Sequence, residues 1–157
     1  MDRALDSGSS GCGFDSRQAR QMRDIRIYVD GGSSGNPGRS AIGFCVFIDN
    51  ELWYLHAECI GEATNNVAEY MALLKALEFC ATKGFKDIIK LYSDSKLVVS
   101  QVKGEFRVMD AKLATLNAKV RTLMREFEDV SVEWIPREEN EIANSLVKKI
   151  LKGAMKR

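Results

Sequence analysis

The chain has 157 residues, of which 45% are hydrophobic and 29% charged, and its formal net charge is +1. This mixture is typical of one soluble globular domain and excludes a disordered or fibrous protein. No apolar run approaches the roughly 20 residues that a membrane-spanning helix needs, and the N-terminus lacks the apolar core of a signal peptide. We therefore expect a cytoplasmic protein without membrane contact.

The two ends of the chain differ from its middle. Residues 1–24 contain several serines and glycines and little periodic apolar content, so we expect a flexible N-terminal extension. An ordered domain is expected over 25–152, followed by a basic tail at 153–157. Residues 148–157 carry five basic and no acidic side chains. Two interpretations stay open for this basic end: cations that suit the C-terminal dipole of a helix, or a patch that faces phosphates.

Three strands are predicted first, and in the first of them apolar and polar residues alternate at the period of a strand. Their segments are IRIYVD at 25–30, AIGFCVFID at 41–49 and LWYLHAECIG at 52–61. The glycine-rich segment at 31–38 separates the first two strands, and a tight turn at 49–51 joins the last two. The three strands are therefore expected to form a meander, with the first strand ending at Asp30.

The remaining elements alternate between helical and strand periods. Helical spacing begins at Thr64, a strand is predicted at 87–94, and a short helical run follows at 95–102. Asp110 is expected to cap a longer helix, 130–136 is the fifth strand, and a last helix runs from about Glu139 to Lys152 and ends at Gly153. The order β-β-β-α-β-α-α-β-α predicts an α/β fold with a mixed five-stranded sheet and helices on both faces.

Three acidic residues occupy places that core packing does not explain. Asp30 ends the first strand, Asp94 ends the fourth, and Glu69 lies early in the first long helix. If strands one and four are parallel neighbours, Asp30 and Asp94 emerge side by side at the sheet edge where ligands usually bind. Such a cluster needs a cation, and oxygen-only ligands favour Mg²⁺ or Mn²⁺. The alternative is that the three residues act separately, as turn and helix caps and as a solvated side chain.

Four segments of the chain carry a resemblance to one family. YVDGGSSGNPG, TNNVAEYMALLKAL, LYSDSKLVV and WIPREENEIANSL resemble type 1 ribonuclease H in order and spacing, over residues 25 to about 151. The resemblance implies a ribonuclease H-like fold and an endonuclease that cuts the RNA strand of RNA–DNA hybrids with two divalent ions, Mg²⁺ or Mn²⁺. It implies that Asp30, Glu69 and Asp94 are the first three catalytic, metal-binding carboxylates.

The fourth carboxylate of the family pattern is absent, because Asn144 stands where aspartate is expected. Asparagine keeps one carbonyl ligand but removes a negative charge, so we expect impaired catalysis. Three origins stay open: an engineered substitution, a weakened homologue, or an enzyme that works with asparagine, with Glu141 as a substitute. The runner-up hypothesis is a catalytically silent module that binds hybrids or RNA. A third is a metal-dependent DNA nuclease.

The resemblance also implies which residues contact the hybrid. Glycines and small polar residues suit close approach to the minor groove, and a helix N-terminus suits a phosphate. The candidates are Gly31, Ser33, Gly35 and Asn36 in the glycine-rich loop, and Thr64, Asn65 and Asn66 at the helix start. Lys96 and Arg137 are the candidate phosphate contacts. Each set of residues also has a purely structural interpretation, as a turn, as a helix cap or as surface cations. Separately, the protein is expected to be a monomer.

Overall fold

The computed structural model describes residues 23–85 and 87–155, which form five strands and four α-helices. In chain order the elements are β1 (Ile25–Ser33), β2 (Gly38–Ile48), β3 (Glu51–Ala63), α1 (Asn65–Thr82), β4 (Ile88–Ser93), α2 (Lys96–Val102), α3 (Ala111–Met124), β5 (Asp129–Trp134) and α4 (Glu141–Met155). A short 3₁₀ helix at Arg137–Glu139 precedes α4. This order confirms the predicted β-β-β-α-β-α-α-β-α arrangement.

The five strands form one mixed sheet in the order β3-β2-β1-β4-β5. Strands β1, β2 and β3 pair antiparallel, which confirms the meander, and β4 pairs parallel to both β1 and β5. The β2–β3 turn has Asp49 and Asn50 at φ values of 52° and 70°. Both residue types tolerate this left-handed conformation, and it fits the twist of a two-residue hairpin.

Helices cover both faces of the sheet, as predicted. Ile25, Ile27 and Val29 of β1 belong to the apolar core under α1, and α3 packs on α1. Helix α4 covers the other face, where a methyl group on Gly43 would lie 2.8 Å from the Leu146 Cβ. Because strand neighbours alternate between faces, β1 presents aliphatic side chains to α1 while Asp30 lies on the α4 side.

The side chains of Thr64, Ser95 and Asp110 cap α1, α2 and α3, each accepting a hydrogen bond from a backbone amide in the first turn. After α1, Gly84 has a φ of +76°, the left-handed conformation that commonly ends a helix. These caps confirm the helix starts at Thr64 and Asp110. In the described part of the chain, no helix combines the length and apolar character needed to cross a membrane.

Among the predicted boundaries that differ from the structure, three concern β1 and the last helix. β1 continues past Asp30 to Ser33, because residues 31–33 keep pairing with β2. The last helix begins at Glu141, after the 3₁₀ turn, and runs through Gly153 to Met155. The φ of Gly153 is not positive, so this glycine continues the helix instead of ending it. The boundary expected before the basic tail therefore falls inside α4.

The expected N-terminal extension lies outside the described residues up to position 22. Its last two residues are part of the fold, because Arg23 pairs with Asp87 at 2.8 Å and the Asp24 amide donates to the Asp49 carboxylate at 3.0 Å. The end of the basic tail, at 156–157, also lies outside the described residues.

Candidate active site

Three carboxylates from different elements meet at one edge of the sheet. Asp30 is the first residue of β1 beyond the β1–β4 pairing, which ends at Val29 and Ser93. Asp94 follows β4 directly, and Glu69 lies in the second turn of α1. One carboxylate oxygen of each residue lies within 4.8 Å of the others. The structure therefore brings together the three acidic residues that the sequence singled out.

Burial and mutual repulsion disfavour the charged forms of these groups. Asp30 is 2% exposed, and burial, followed by the charge of Asp94, raises its pKa to about 7. Burial also raises the pKa of Glu69 well above its usual range, and the charges of Asp30 and Asp94 add to this effect. The Arg137 cation and the Gly31 amide oppose the rise only in part. The cluster thus needs positive charge at its centre to be fully ionised.

Gly31 fixes the distance between β1 and α1 at the site. Its amide donates to the Glu69 Oε1 at 3.2 Å, and a methyl group on its Cα would lie 2.1 Å from the Ala68 carbonyl oxygen. Only glycine permits this approach of strand to helix. Gly31 therefore holds Glu69 close to Asp30, in addition to the substrate contact that the resemblance implies.

Two buried asparagines flank the first turn of α4. Asn140 and Asn144 are 1% and 7% exposed, and the backbone amide of Asn144 donates to the Asn140 carbonyl at 3.0 Å. The side chain of Asn144 donates to the Arg137 carbonyl at 3.1 Å. Arg137 reaches back to the cluster, with its guanidinium 3.7 Å from the Asp94 Oδ2. Asn144 is therefore linked to the carboxylates through Arg137.

The structure also identifies Asn140, which the sequence did not single out. Its Nδ2 donates to the Val29 carbonyl at 2.8 Å and lies 3.4 Å from the Asp94 Oδ2. Asn140 stands in the segment NEIAN, four residues before Asn144 and next to the start of a helix. The sequence pattern carried no signal for it, because its burial and both of its contacts arise only in the fold.

The donor atoms of the site fit a divalent cation. Three buried oxygens, Asp30 Oδ1, Asn140 Oδ1 and Asn144 Oδ1, have no hydrogen-bond partner among the described residues. Unpaired buried acceptors are costly, and their presence beside clustered carboxylates indicates a cation site. Carboxylate and amide oxygens are the ligands of Mg²⁺ and Mn²⁺. Asp30, Glu69, Asp94 and Asn144 can therefore supply ligands.

The glycine-rich loop is joined to the start of α1 by side-chain amides. The Ser33 amide donates to the Asn65 Oδ1 at 3.0 Å, and the Asn65 amide donates to the Asn36 Oδ1 at 2.9 Å. Ser33 Oγ also contacts the Gly35 carbonyl. Because Asn36 and Asn65 use their oxygens internally, their NH₂ groups are what they can offer to a ligand. Asn66 is exposed on the first turn of α1, beside the Thr64 cap.

Lys96, the first residue of α2, lies above an aromatic ring. Its Nζ is 4.8 Å from the centre of the Trp134 ring, and the Trp134 Nε1 donates to the Asp94 carbonyl at 3.2 Å. This cation–π contact holds the ammonium group over the Trp134 ring. Of the predicted substrate residues, Gly31 and Arg137 contact the cluster directly, Gly31 through Glu69 and Arg137 through Asp94.

The sheet order and the acidic cluster at its edge define a ribonuclease H-like protein, and comparisons agree. A family model described as "Reverse transcriptase-like" matches residues 28–150. The ribonuclease HI of Halobacterium salinarum is 40% identical over 131 residues, which cover 83% of this chain and 65% of that protein. The structure of RNase H1 from that archaeon superposes with a TM-score of 0.80, at 38% identity, over 83% of this chain and 98% of that chain. The chain belongs to the ribonuclease HI family.

Two further relatives extend the comparison. LC11-RNase H1 in complex with an RNA/DNA hybrid has a TM-score of 0.79 and 35% identity, over 84% of this chain and 99% of that chain. The bifunctional protein Rv2228c of Mycobacterium tuberculosis is 36% identical over 83% of this chain and 36% of that protein. The chain therefore spans about a third of the length of Rv2228c and about two thirds of the length of the Halobacterium ribonuclease HI.

Proposed function

We propose that this protein hydrolyses the RNA strand of RNA–DNA hybrids in a reaction that requires divalent metal ions. The observation that carries the proposal is the meeting of Asp30, Glu69 and Asp94 within 4.8 Å, at the sheet edge of a ribonuclease HI-family chain. The hybrid bound to the LC11 relative supports the choice of substrate. A monomeric state and a cytoplasmic location stay predictions.

The proposed metal ligands are Asp30, Glu69, Asp94 and Asn144, with two Mg²⁺ or Mn²⁺ ions per site. The chemistry that two such ions supply is activation of a water molecule and stabilisation of charge on the scissile phosphate. We expect Asp30, the carboxylate directly beyond the β1–β4 pairing, to be the ligand on which metal binding would depend most. The unpaired oxygens of Asp30 and Asn144 support these assignments.

The residues around the cluster bind and orient the hybrid in this proposal. Asn36 and Asn65 offer NH₂ donors, which suit the 2′-hydroxyls and base edges of a minor groove. Gly31, Ser33 and Gly35 bring the chain close to the sugar edge, while Thr64 and Asn66 place a helix N-terminus near a phosphate. Lys96 and Arg137 attract the phosphate backbone, and their charge makes binding sensitive to salt.

Asn144 supports a second candidate, a ribonuclease H-like module that binds hybrids without cutting them. Its amide contributes no negative charge, and its Nδ2 is engaged by the Arg137 carbonyl. For the enzyme, the same observation implies reduced occupancy of one metal position and slower turnover. Restoring the carboxylate separates the two candidates.

The deciding experiment is cleavage of a labelled RNA–DNA hybrid in Mg²⁺ and in Mn²⁺. The native chain, its Asn144→Asp variant and an Asp30→Asn control would be compared at equal concentration. The enzyme proposal predicts strong cleavage by Asn144→Asp, weak cleavage by the native chain and none by the control. Hybrid binding without cleavage by Asn144→Asp would favour the silent module, and cleavage of duplex DNA would favour a DNA nuclease.

A further inference from the structure

Asn140 touches both chain segments that carry the catalytic carboxylates. We propose that Asn140 is a positioning residue, whose side-chain NH₂ group fixes Asp94 against the end of the β1–β4 pairing and so sets the cation site. The catalytic part of this inference rests on the proposed function, whereas the cation part does not.

The geometry places one donor group between two strands. The Asn140 Nδ2 donates to the Val29 carbonyl at 2.8 Å, and Val29 immediately precedes Asp30. The same nitrogen lies 3.4 Å from the Asp94 Oδ2. An NH₂ group has two hydrogens, so a single side chain can satisfy both acceptors. The spacing of Asp30 and Asp94 therefore depends on one buried amide, which is 1% exposed.

The backbone of Asn140 is itself held firmly. Its amide donates to the Arg137 carbonyl at 3.0 Å, and its carbonyl accepts the Asn144 amide at 3.0 Å, in the first turn of α4. The 3₁₀ turn and α4 thus fix the Asn140 Cα. A site is most precise when its supporting groups are carried by such rigid elements.

The NH₂ group of the Asn140 side chain, and not its carbonyl oxygen, makes both contacts. The Val29 carbonyl accepts a hydrogen bond, so the Asn140 NH₂ group must face it, and this fixes the orientation of the amide. An aspartate at position 140 has nearly the same shape but would set its oxygens against the Val29 carbonyl and the Asp94 carboxylate. Asn140→Asp therefore removes the donor and adds a charge, and it tests positioning against simple attraction of cations.

Arg137 competes with Asn140 for Asp94. Its guanidinium lies 3.7 Å from the same Asp94 Oδ2, and its side chain is 62% exposed. Without the Asn140 donor, the Asp94 carboxylate is free to turn toward this cation and away from Asp30. The loss of Asn140 is therefore expected to weaken cation binding even though Asn140 carries no charge.

Mn²⁺ binding, measured by calorimetry at pH 8 and well below the melting temperature, tests the inference without any activity. Asn140→Ala is expected to raise the Mn²⁺ Kd about tenfold, the size typical for groups that orient metal ligands. The matched control is Asn117→Ala, which removes a buried amide bonded to Tyr70 and Gln101 in the core on the other side of the sheet. We expect it to lower stability while changing the Mn²⁺ Kd less than about twofold.

Kinetics in the Asn144→Asp background provide the second readout. Asn140→Ala and Asn140→Asp are both expected to lower kcat about tenfold or more, with the KM for the hybrid within about threefold. A background chain that cuts no hybrid would refute the proposed function, while the Mn²⁺ titration would still decide the role of Asn140. An unchanged Mn²⁺ Kd in Asn140→Ala, no Mn²⁺ binding by the parent chain at millimolar concentration, or parental kcat in Asn140→Asp would overturn the inference.

Discussion

Neutralising Asp30 should stabilise the metal-free protein. Burial and the charge of Asp94 raise the pKa of Asp30 to about 7, from 3.8 for an ordinary aspartate. Its native state therefore holds a proton more tightly than its unfolded state does. Near pH 4 Asp30 is protonated in the folded protein and does not lower the free energy of unfolding. As the pH rises toward and through 7 the carboxyl ionises in its buried place, and the free energy of unfolding falls. Asp30→Asn is not subject to this loss.

The size of the effect follows from the pKa difference. One pKa unit corresponds to about 1.4 kcal/mol, so the charged carboxylate costs up to about 4 kcal/mol at pH 8. We expect Asp30→Asn to gain about 2–4 kcal/mol there and almost nothing at pH 4. For a domain of this size, each kcal/mol moves the melting temperature by about 2–4 °C, which gives a gain of roughly 5–15 °C.

The assay is thermal unfolding in chelator at several pH values between 4 and 8. Glu62→Gln, which neutralises an exposed carboxylate on β3, is the control and should not shift the Tm. Added Mn²⁺ should reverse the order, because the native site gains binding energy that Asp30→Asn lacks. A Tm for Asp30→Asn at or below that of the native chain, in chelator at pH 8, would refute the reasoning.

Three other outcomes are expected. Asn144→Asp should leave hybrid affinity within about threefold, or about 0.6 kcal/mol, in anisotropy at fixed salt; binding tenfold tighter than that of the native chain would contradict this. Gly31→Ala should cost about 3 kcal/mol or more in urea unfolding, because its methyl group would lie 2.1 Å from the Ala68 carbonyl oxygen; a cost below 1 kcal/mol would show that α1 yields. Arg137→Ala should lower the Tm in chelator at pH 8, since Arg137 lowers the pKa of Asp30; a raised Tm would contradict that role.

The acidic cluster could be predicted because each of its residues lies at a strand end or an early helix position that the sequence pattern marks. Strand periodicity ends near Asp30 and Asp94, and a right-handed crossover makes their strands parallel neighbours. Glu69 could be singled out because it lies early in α1, at a place that core packing does not explain. The resemblance to ribonuclease H then supplied the metal and substrate roles, which spacing alone left open.

The role of Asn140 could not be predicted, because both of its contacts are distant in sequence. It meets Val29 across 111 residues and Asp94 across 46. The end of β1 was missed for a similar reason, since only pairing with β2 keeps residues 31–33 extended despite two glycines. Gly153 resembled a helix end, but it lacks the positive φ with which a glycine commonly ends a helix.

Hybrid cleavage by the Asn144→Asp variant tests the central claim most directly. An RNA–DNA hybrid labelled on the RNA strand would be incubated in Mg²⁺ with this variant, with the native chain and with the Asn144→Asp, Asp30→Asn double variant. We predict rapid cutting of the RNA strand by the first, to 5′-phosphate and 3′-hydroxyl ends, slower cutting by the second and none by the third. An intact RNA strand with the first protein, or equal cutting by the third, would contradict the account.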